Sequence, residues 1–302
     1  MALKDIKAKI GATKRMNTVT HAMEAVSAVK MRKTQESAFA GRAYARAALS
    51  ILARLSGSNS VKQHPLTQVR EVKKTALVVI TSDKGLAGAL NSGVTKAAMR
   101  AIEGRGQNSV TVFAYGRKGE EFFSHRNFTI AKAIENKRDD VPLSVMEELS
   151  RELSDGFLAG NYDEVIAVYS NFRSTFEQVP TIRKLLPLTV ESIGAIVNDI
   201  RPAKGRWSND VMLESPQSYE VESSTDDVLG LLIPKLVAIS FYYMLLEAKA
   251  SEHSARMVAM KSASDKSKEV THDLTRLYNK LRQAAITREV SEIVSGREAL
   301  AT

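Results

Sequence analysis

Cysteine is absent from the 302 residues. That excludes disulfides, thiolate metal sites and thiol redox control together. Aromatic residues are scarce at 6%, with a single tryptophan, Trp207. The five histidines (His21, His64, His125, His253 and His272) are scattered, with no HExxH and no second ligand at helical spacing. No GxSxG occurs. The acidic pairs Glu120–Glu121 and Asp139–Asp140 read as solvated positions, and His253 reads as a packed residue. The sequence therefore offers no catalytic constellation and no metal site.

Long apolar runs are missing too. The best candidate for a membrane span, LGLLIPKLVAISFYYMLL (229–246), holds Pro234 and Lys235 and barely approaches the ~20 residues a bilayer needs. It reads as a buried or partner-covered helix. Lys4, Lys7 and Lys9 are not followed by a continuous apolar segment, so no secretory signal is expected. The basic, amphipathic opening continues unbroken to about residue 56 and reads as mature structure.

What is present is Ala, Leu, Lys, Arg and Glu, a composition suited to long helices. The net charge of +9 is concentrated: residues 1–56 hold eleven Lys and Arg against three Asp and Glu, whereas 57–224 balance at twenty-one each. A basic rod of this kind seeks an acidic partner, either nucleic acid or an acidic protein surface.

Leu3, Ile6 and Ile10, then Met16, Val19, Met23, Val26 and Val29, form a helical stripe in residues 1–56. A second register starts at Leu229 and runs Leu232, Leu236, Ile239, Tyr243, Leu246, Ala250, His253, Met257, Met260, Ser264, Ser267, Thr271, Leu274, Tyr278, Leu281 and Ala285. Its strict 3,4 spacing is that of a left-handed coiled coil, loosened where Met and Ser/Thr occupy the seam. Pro234 is expected to kink or start this helix.

Between the rods, ALVVIT (76–81), SVTVFAYG (109–116), FTIAKAI (128–134) and DEVIAVYSN (163–171) read as strands. They alternate with helical stretches near 86–103, 117–125 and 143–159, which gives a mostly parallel sheet. The expected organisation is an N-terminal coiled-coil helix (1–56), an α/β foot domain (75–197), an irregular connection (198–228) and a C-terminal coiled-coil helix (229–296) that pairs with the first. The fold class is thus α/β plus a long antiparallel coiled coil, with a Rossmann-like domain inserted between the two helices of a rod.

The turn SDKGLAGALN (82–91) follows the first strand and resembles a phosphate-binding loop. It fails GxxxxGK[ST], because Lys84 precedes the glycine, and it fails GxGxxG for want of a third glycine. It reads as a structural turn, with Asp83 able to cap the following helix. KMRK (30–33) suits a nucleic-acid patch, but residues 1–38 carry no aromatic side chain for base stacking before Phe39. Duplex binding by a basic helix stays open.

Four stretches together carry a family resemblance: NTVTHAMEAVSAVKMRK (17–33), SDKGLAGALN (82–91), ASEHSARMVAMKSASD (250–265) and YNKLRQAAITREVSEIVSG (278–296). In this order the chain resembles the γ subunit of F-type ATP synthases along its whole length. It departs from the usual pattern at Arg297–Glu298, His21 and Ser223, and it lacks the cysteine-bearing regulatory insert of chloroplast members.

The resemblance implies a non-catalytic central shaft inside a ring of three α and three β subunits, with ε beside its foot and the membrane c-ring beneath. Proton flow turns c-ring and shaft, and nucleotide chemistry belongs to β. No cofactor, metal or nucleic acid is implied, and membrane association, on the cytoplasmic face of the bacterial inner membrane, comes through the complex only. The implied contacts with the α/β ring are Met23, Lys30, Arg32, Lys33, Arg282, Gln283 and Thr287. The implied coiled-coil packing residues are Leu236, Ile239, Tyr243, Leu246, Met257, Met260, Leu274, Tyr278 and Leu281. Arg256 is expected to pair across the coiled coil. Two other readings stand beside the shaft: a basic coiled-coil nucleic-acid-binding protein and a nucleotide-dependent α/β enzyme.

Overall fold

The computed structural model describes residues 3–55, 64–137, 143–189 and 225–301. Most of the expected connection 198–228, with Trp207, Ser223 and the Asp139–Asp140 pair, lies outside the described residues. Two compact units result: Met1–Val26 with Met257–Thr302, and Ser27–Arg256.

The larger unit is built on a five-stranded sheet. Its strands are β1 (Thr75–Ile80), β2 (Val110–Tyr115), β3 (Thr129–Ile134), β4 (Glu164–Ser174) and β5 (Glu177–Leu186), in the order β3-β2-β1-β4-β5. β1 pairs in parallel with β2 and β4, and β2 in parallel with β3; β5 alone runs antiparallel, beside β4. TALVVI is buried along its full length, as a central parallel strand covered on both faces must be.

Alternation then sorts the side chains by face. Ala76, Val78 and Ile80 join Phe113, Tyr115, Val165 and Ala167 on one side, and Leu77 and Val79 join Val110, Val112, Ile166 and Val168 on the other. The second face is covered by α2 (Leu90–Ala101), through Val94, Ala97 and Ala98, and by Phe123 of α3 (Arg117–Ser124). The first is covered by Met146, Leu149, Leu153 and Phe157 of α4 (Leu143–Leu158) and by the early part of α5 (Thr225–Ala301).

β5 was not among the expected strands. Pro180 and the charged residues of EQVPTIRKLL argue against a central strand, and the segment sits at the sheet edge, where a missing N–H is tolerated.

Of the two alternatives for Pro234, kinking or starting the last helix, the start is corrected, because α5 begins at Thr225 and carries Pro234 inside it. An interior proline costs a helix about 3 kcal/mol. Here Ile233, Leu236 and Val237 flank it and are buried against the sheet, while Pro234 itself faces solvent, so packing offsets the lost hydrogen bond. Leu236 and Leu246 belong to this sheet core; Tyr243 is buried nearby and Ile239 is half-buried.

In the smaller unit α5 runs beside α1 (Leu3–Leu55). Met260, Ser264 and Ser267 are buried, and Met257, Thr271, Leu274, Tyr278, Leu281 and Ala285 are half-buried, with exposed residues between them. On α1 the apolar stripe is corrected. Leu3, Ile6 and Ile10 face inward, but Met16, Val19 and Val26 are exposed and only Met23 is half-buried. The inward register is Leu3, Ile6, Ile10, Thr13, Asn17, Thr20 and Glu24. It continues in the larger unit through Ser27, Met31 and Thr34, where Val29 is 71% exposed.

The reason lies in how the seam hydroxyls are satisfied. Thr13, Thr20, Ser267 and Thr271 each donate to the carbonyl four residues back, at 2.9, 3.0, 2.8 and 2.7 Å. They reach the interface with their polar need already met. Asn17 supplies the cross-helix bonds, its Nδ2 donating to the Ser264 carbonyl at 2.7 Å and to its Oγ at 3.1 Å.

Candidate functional site

Open α/β sheets bind ligands beyond the carboxyl ends of their strands, so that end of β1, β2 and β3 is where a phosphate would sit. The chain's own groups occupy it. Thr81 donates its N–H to the Tyr115 carbonyl at 2.8 Å and its Oγ1 to the Gly116 carbonyl at 3.1 Å; that Oγ1 accepts from the Gly119 N–H at 2.7 Å. Gly116 has φ 107°, and a Cβ there would stand 2.0 Å from the Thr81 carbonyl oxygen. Two backbones meet where a ligand would need room.

Buried Asp83 accepts through Oδ1 from the Arg117 N–H at 2.8 Å and from the Asn136 N–H at 3.0 Å. The expected cap is thereby moved. Asp83 caps α3, not α2, whose N-cap residue Ala89 makes no side-chain bond. Asp83 leaves β1 beside the exit of β2, and β2 passes into α3 within one residue, whereas α2 begins only at Leu90. Ser82 donates its N–H to Asn91 Oδ1 at 3.0 Å, which holds the turn shut, and Lys84 points into solvent. The N–H groups of Thr81, Ser82, Arg117 and Asn136 at this end of the sheet are thus committed within the fold. A groove of about 630 Å³ beside α4 and the sheet edge is walled by Glu148, Arg151, Glu152 and Asp155, with Lys132 paired to both glutamates at 2.8 and 2.7 Å, so carboxylates outnumber cations there. Among the described residues no group of His, Asp and Glu could hold a metal ion.

The same end of the sheet receives α5. Lys249 is 2% exposed and donates to the Asn136 carbonyl at 2.9 Å. Glu247 accepts from the Phe172 N–H at 2.9 Å, Ser251 donates to the Ser170 carbonyl at 2.9 Å, and Ser254 to the Thr175 carbonyl at 2.7 Å. His253 is buried, as expected of a packed residue. The Arg256 guanidinium bonds Glu252 Oε1 at 2.8 Å, one turn back on its own helix, so its pairing is within α5 and not across the coiled coil. A side chain this buried takes the nearest buried carboxylate.

The remaining sequence-derived positions lie on helix surfaces. In the smaller unit Met23 is half-buried, and Arg282, Gln283 and Thr287 are exposed, with Thr287 Oγ1 donating to the Gln283 carbonyl at 3.0 Å. In the larger unit Lys33 is exposed, Lys30 is half-buried, and exposed Arg32 pairs with Glu36 at 3.2 Å. Sequence reasoning missed the bare apolar faces. Met16, Val19 and Val26 stand outward on α1, and Ile286, Val290, Ile293 and Val294 stand outward near the end of α5. The signal was available: those α5 residues recur at helical spacing after the seam ends at Ala285. Exposed apolar surface that repeats along one helix face marks a binding surface. No helix among the described residues is long and apolar enough to cross a membrane.

The family model described as ATP synthase matches residues 2–300. The ATP synthase gamma chain of Roseiflexus castenholzii is 40% identical over 99% of this chain and 98% of its own length, and that of Staphylococcus epidermidis is 34% identical over 99% of each. Among solved structures, a chain of the central stalk and c-ring of the Tetrahymena thermophila mitochondrial ATP synthase is similar at 25% identity. That match has a TM-score of 0.61 and covers 82% of this chain and 99% of the other.

Proposed function

The chain belongs to the family of ATP synthase gamma chains, and from that premise we propose that it is the central rotor shaft of an F-type ATP synthase. It is a non-catalytic subunit. In this reading it couples ion-driven rotation of the c-ring to conformational cycling of three catalytic β subunits, alternating with three α subunits, while ε lies beside the α/β domain. The complex as a whole, at the cytoplasmic face of a bacterial inner membrane, makes ATP from ADP and phosphate using proton flow.

The observation that carries this reading is the arrangement of the helix faces. Small polar residues are turned inward, and Met16, Val19, Val26, Val29, Arg32, Lys33 and Arg282 are turned outward, which suits helices that work inside a partner. Met23, Lys30, Arg32, Lys33, Arg282, Gln283 and Thr287 are the proposed contacts with the α/β ring. Exposed ion pairs are worth about 0–1 kcal/mol, so basic residues steer β loops without fixing them. Arg32 already has Glu36 as a partner, so exchanging it for a β carboxylate is close to thermoneutral and reversible at each step.

Native mass spectrometry of the complex recovered through this tagged chain tests the proposal. One copy with three each of two larger ATP-hydrolysing subunits is the expected result. A monomer or homodimer carrying nucleic acid, under conditions that keep known assemblies intact, would overturn it.

A further inference from the structure

We infer that residues 247–254 of α5 form a rotational key that locks the helix against the sheet, with Lys249 as its principal positioning residue. Four side chains reach four backbone groups of the larger unit: Glu247 to Phe172 N–H, Lys249 to the Asn136 carbonyl, Ser251 to the Ser170 carbonyl and Ser254 to the Thr175 carbonyl. At about 100° per residue, Glu247, Ser251 and Ser254 fall within roughly 60° of one another, and Lys249 projects from nearly the opposite side. The helix is therefore gripped on two flanks. Turning it either way about its own axis breaks bonds on both, which the hydrophobic drive alone does not ensure, because it is non-directional.

Every contact ends on main chain: Ser170 and Phe172 lie in β4, Thr175 in the turn to β5, and Asn136 just past β3, where its N–H bonds Asp83 Oδ1 at 3.0 Å and its Nδ2 the Thr81 carbonyl at 2.7 Å. Gln178 Nε2, donating to Ser254 Oγ at 3.3 Å, and Glu252, 3.9 Å from Lys249 Nζ, hold two of the key's side chains in turn. Lys249, Ser251 and Ser254 are all buried, so water does not readily replace a lost partner. The key's function rests on the shaft reading: it makes α5 transmit twist to the α/β domain instead of turning within it.

The absence of cysteine allows spin labels at Lys235→Cys on α5 and Arg100→Cys on α2, two exposed positions on opposite faces of the sheet. Distances are measured by pulsed electron resonance in the full chain. One narrow distribution is expected for the parent. A second population should grow in K249M and in S251A/S254A, roughly fivefold for each bond lost. A single narrow distribution in both variants, with near-ultraviolet dichroism unchanged, overturns the key. If K249M does not fold, S251A/S254A alone decides, since it leaves the charge pairs untouched.

In the assembled complex, proton pumping per ATP hydrolysed should fall in the same variants while hydrolysis persists. An unchanged ratio beside a broadened distance overturns the torque role and leaves the key. A parent chain that enters no such complex overturns the shaft reading, and the label distances still judge the key.

Discussion

Replacing Gly116 by alanine tests whether the carboxyl end of the sheet is closed to ligands. With φ 107° and ψ 135°, this residue lies in a region that side chains avoid, and the conformational cost alone is about 1–3 kcal/mol. The added Cβ would meet the Thr81 carbonyl oxygen at 2.0 Å and its carbon at 2.6 Å. Both are main-chain atoms of a central strand's end, so they cannot step aside as a flexible side chain would. Overpacking of this kind costs about 1–3 kcal/mol more. The expected loss is therefore about 2–6 kcal/mol, a large share of the ~5–15 kcal/mol that stabilises a domain.

Gly104→Ala is the control, because Gly104 also has positive φ, 79°, but nothing stands within 4 Å of its Cβ position. It should show the conformational cost alone. Hydrogen exchange of the β1 amides (75–80) reads the sheet by itself, independently of the long helices. If Gly116→Ala lowers their protection no more than Gly104→Ala, the close approach of the two backbones is not a constraint, and the crevice has room for a ligand after all.

Asn17→Ala should cost about 1–2 kcal/mol in urea unfolding, and Ser264→Ala clearly less, because the carbonyl that Asn17 bonds survives the second change; equal losses refute the assignment. The Asp163 carboxyl is held below its ordinary 3.8 by the Lys74 and Lys73 backbone N–H groups it accepts from, at 2.9 and 2.8 Å. A depressed carboxylate stabilises the fold above its unfolded value and loses that contribution as pH falls through the folded one. The stability advantage over Asp163→Asn, below about 1 kcal/mol for so exposed a group, should be flat above pH 3.8 and shrink beneath it; a gap that widens on acidification contradicts this. Arg282→Ala should leave unfolding unchanged, since the side chain is exposed, and reduce coupled ATP synthesis by up to about fivefold, the worth of a surface ion pair. Unchanged synthesis removes Arg282 from the contact surface.

The sheet was legible because its signals are local. TALVVI, VTVFAY and the buried part of EVIAVYSNFRS are nearly continuous apolar runs, and a strand buried on both faces needs nothing else to be found. β5 was not, because an edge strand is half solvated and its sequence need not alternate cleanly. Asp83 was recognisable as a cap, but the helix it caps follows the neighbouring strand, and nothing near Asp83 in sequence names Arg117. Nothing in the sequence marks Lys249 or Asn136 either, and the motif that contains Ser254 does not name its partner. A lysine within a basic chain reads as solvated until a structure shows it buried, and its partner carbonyl is invisible to any motif.

The stripe on α1 was misread for a reason that bears on function. Period and polarity normally agree, and by that rule Met16, Val19, Val26 and Val29 belong on the packed face; here the hydroxyl residues are inside and the valines outside. Burying an isopropyl group is worth roughly 1.5–3 kcal/mol, and burying a hydroxyl already bonded to its own helix contributes far less. An isolated helix pair selected only for its own stability would carry the two sets exchanged. The pair instead leaves these valines and Met16 uncovered and gives the middle of its seam, between Ile10 and Leu274, to hydroxyl side chains and one asparagine that fixes register, as single polar seam residues do. That distribution gives a surface whose burial depends on a partner, while the internal seam keeps its alignment whichever part of the partner lies against the outside. A rotor needs both properties, since its outer contacts must change at every step and its own register must not.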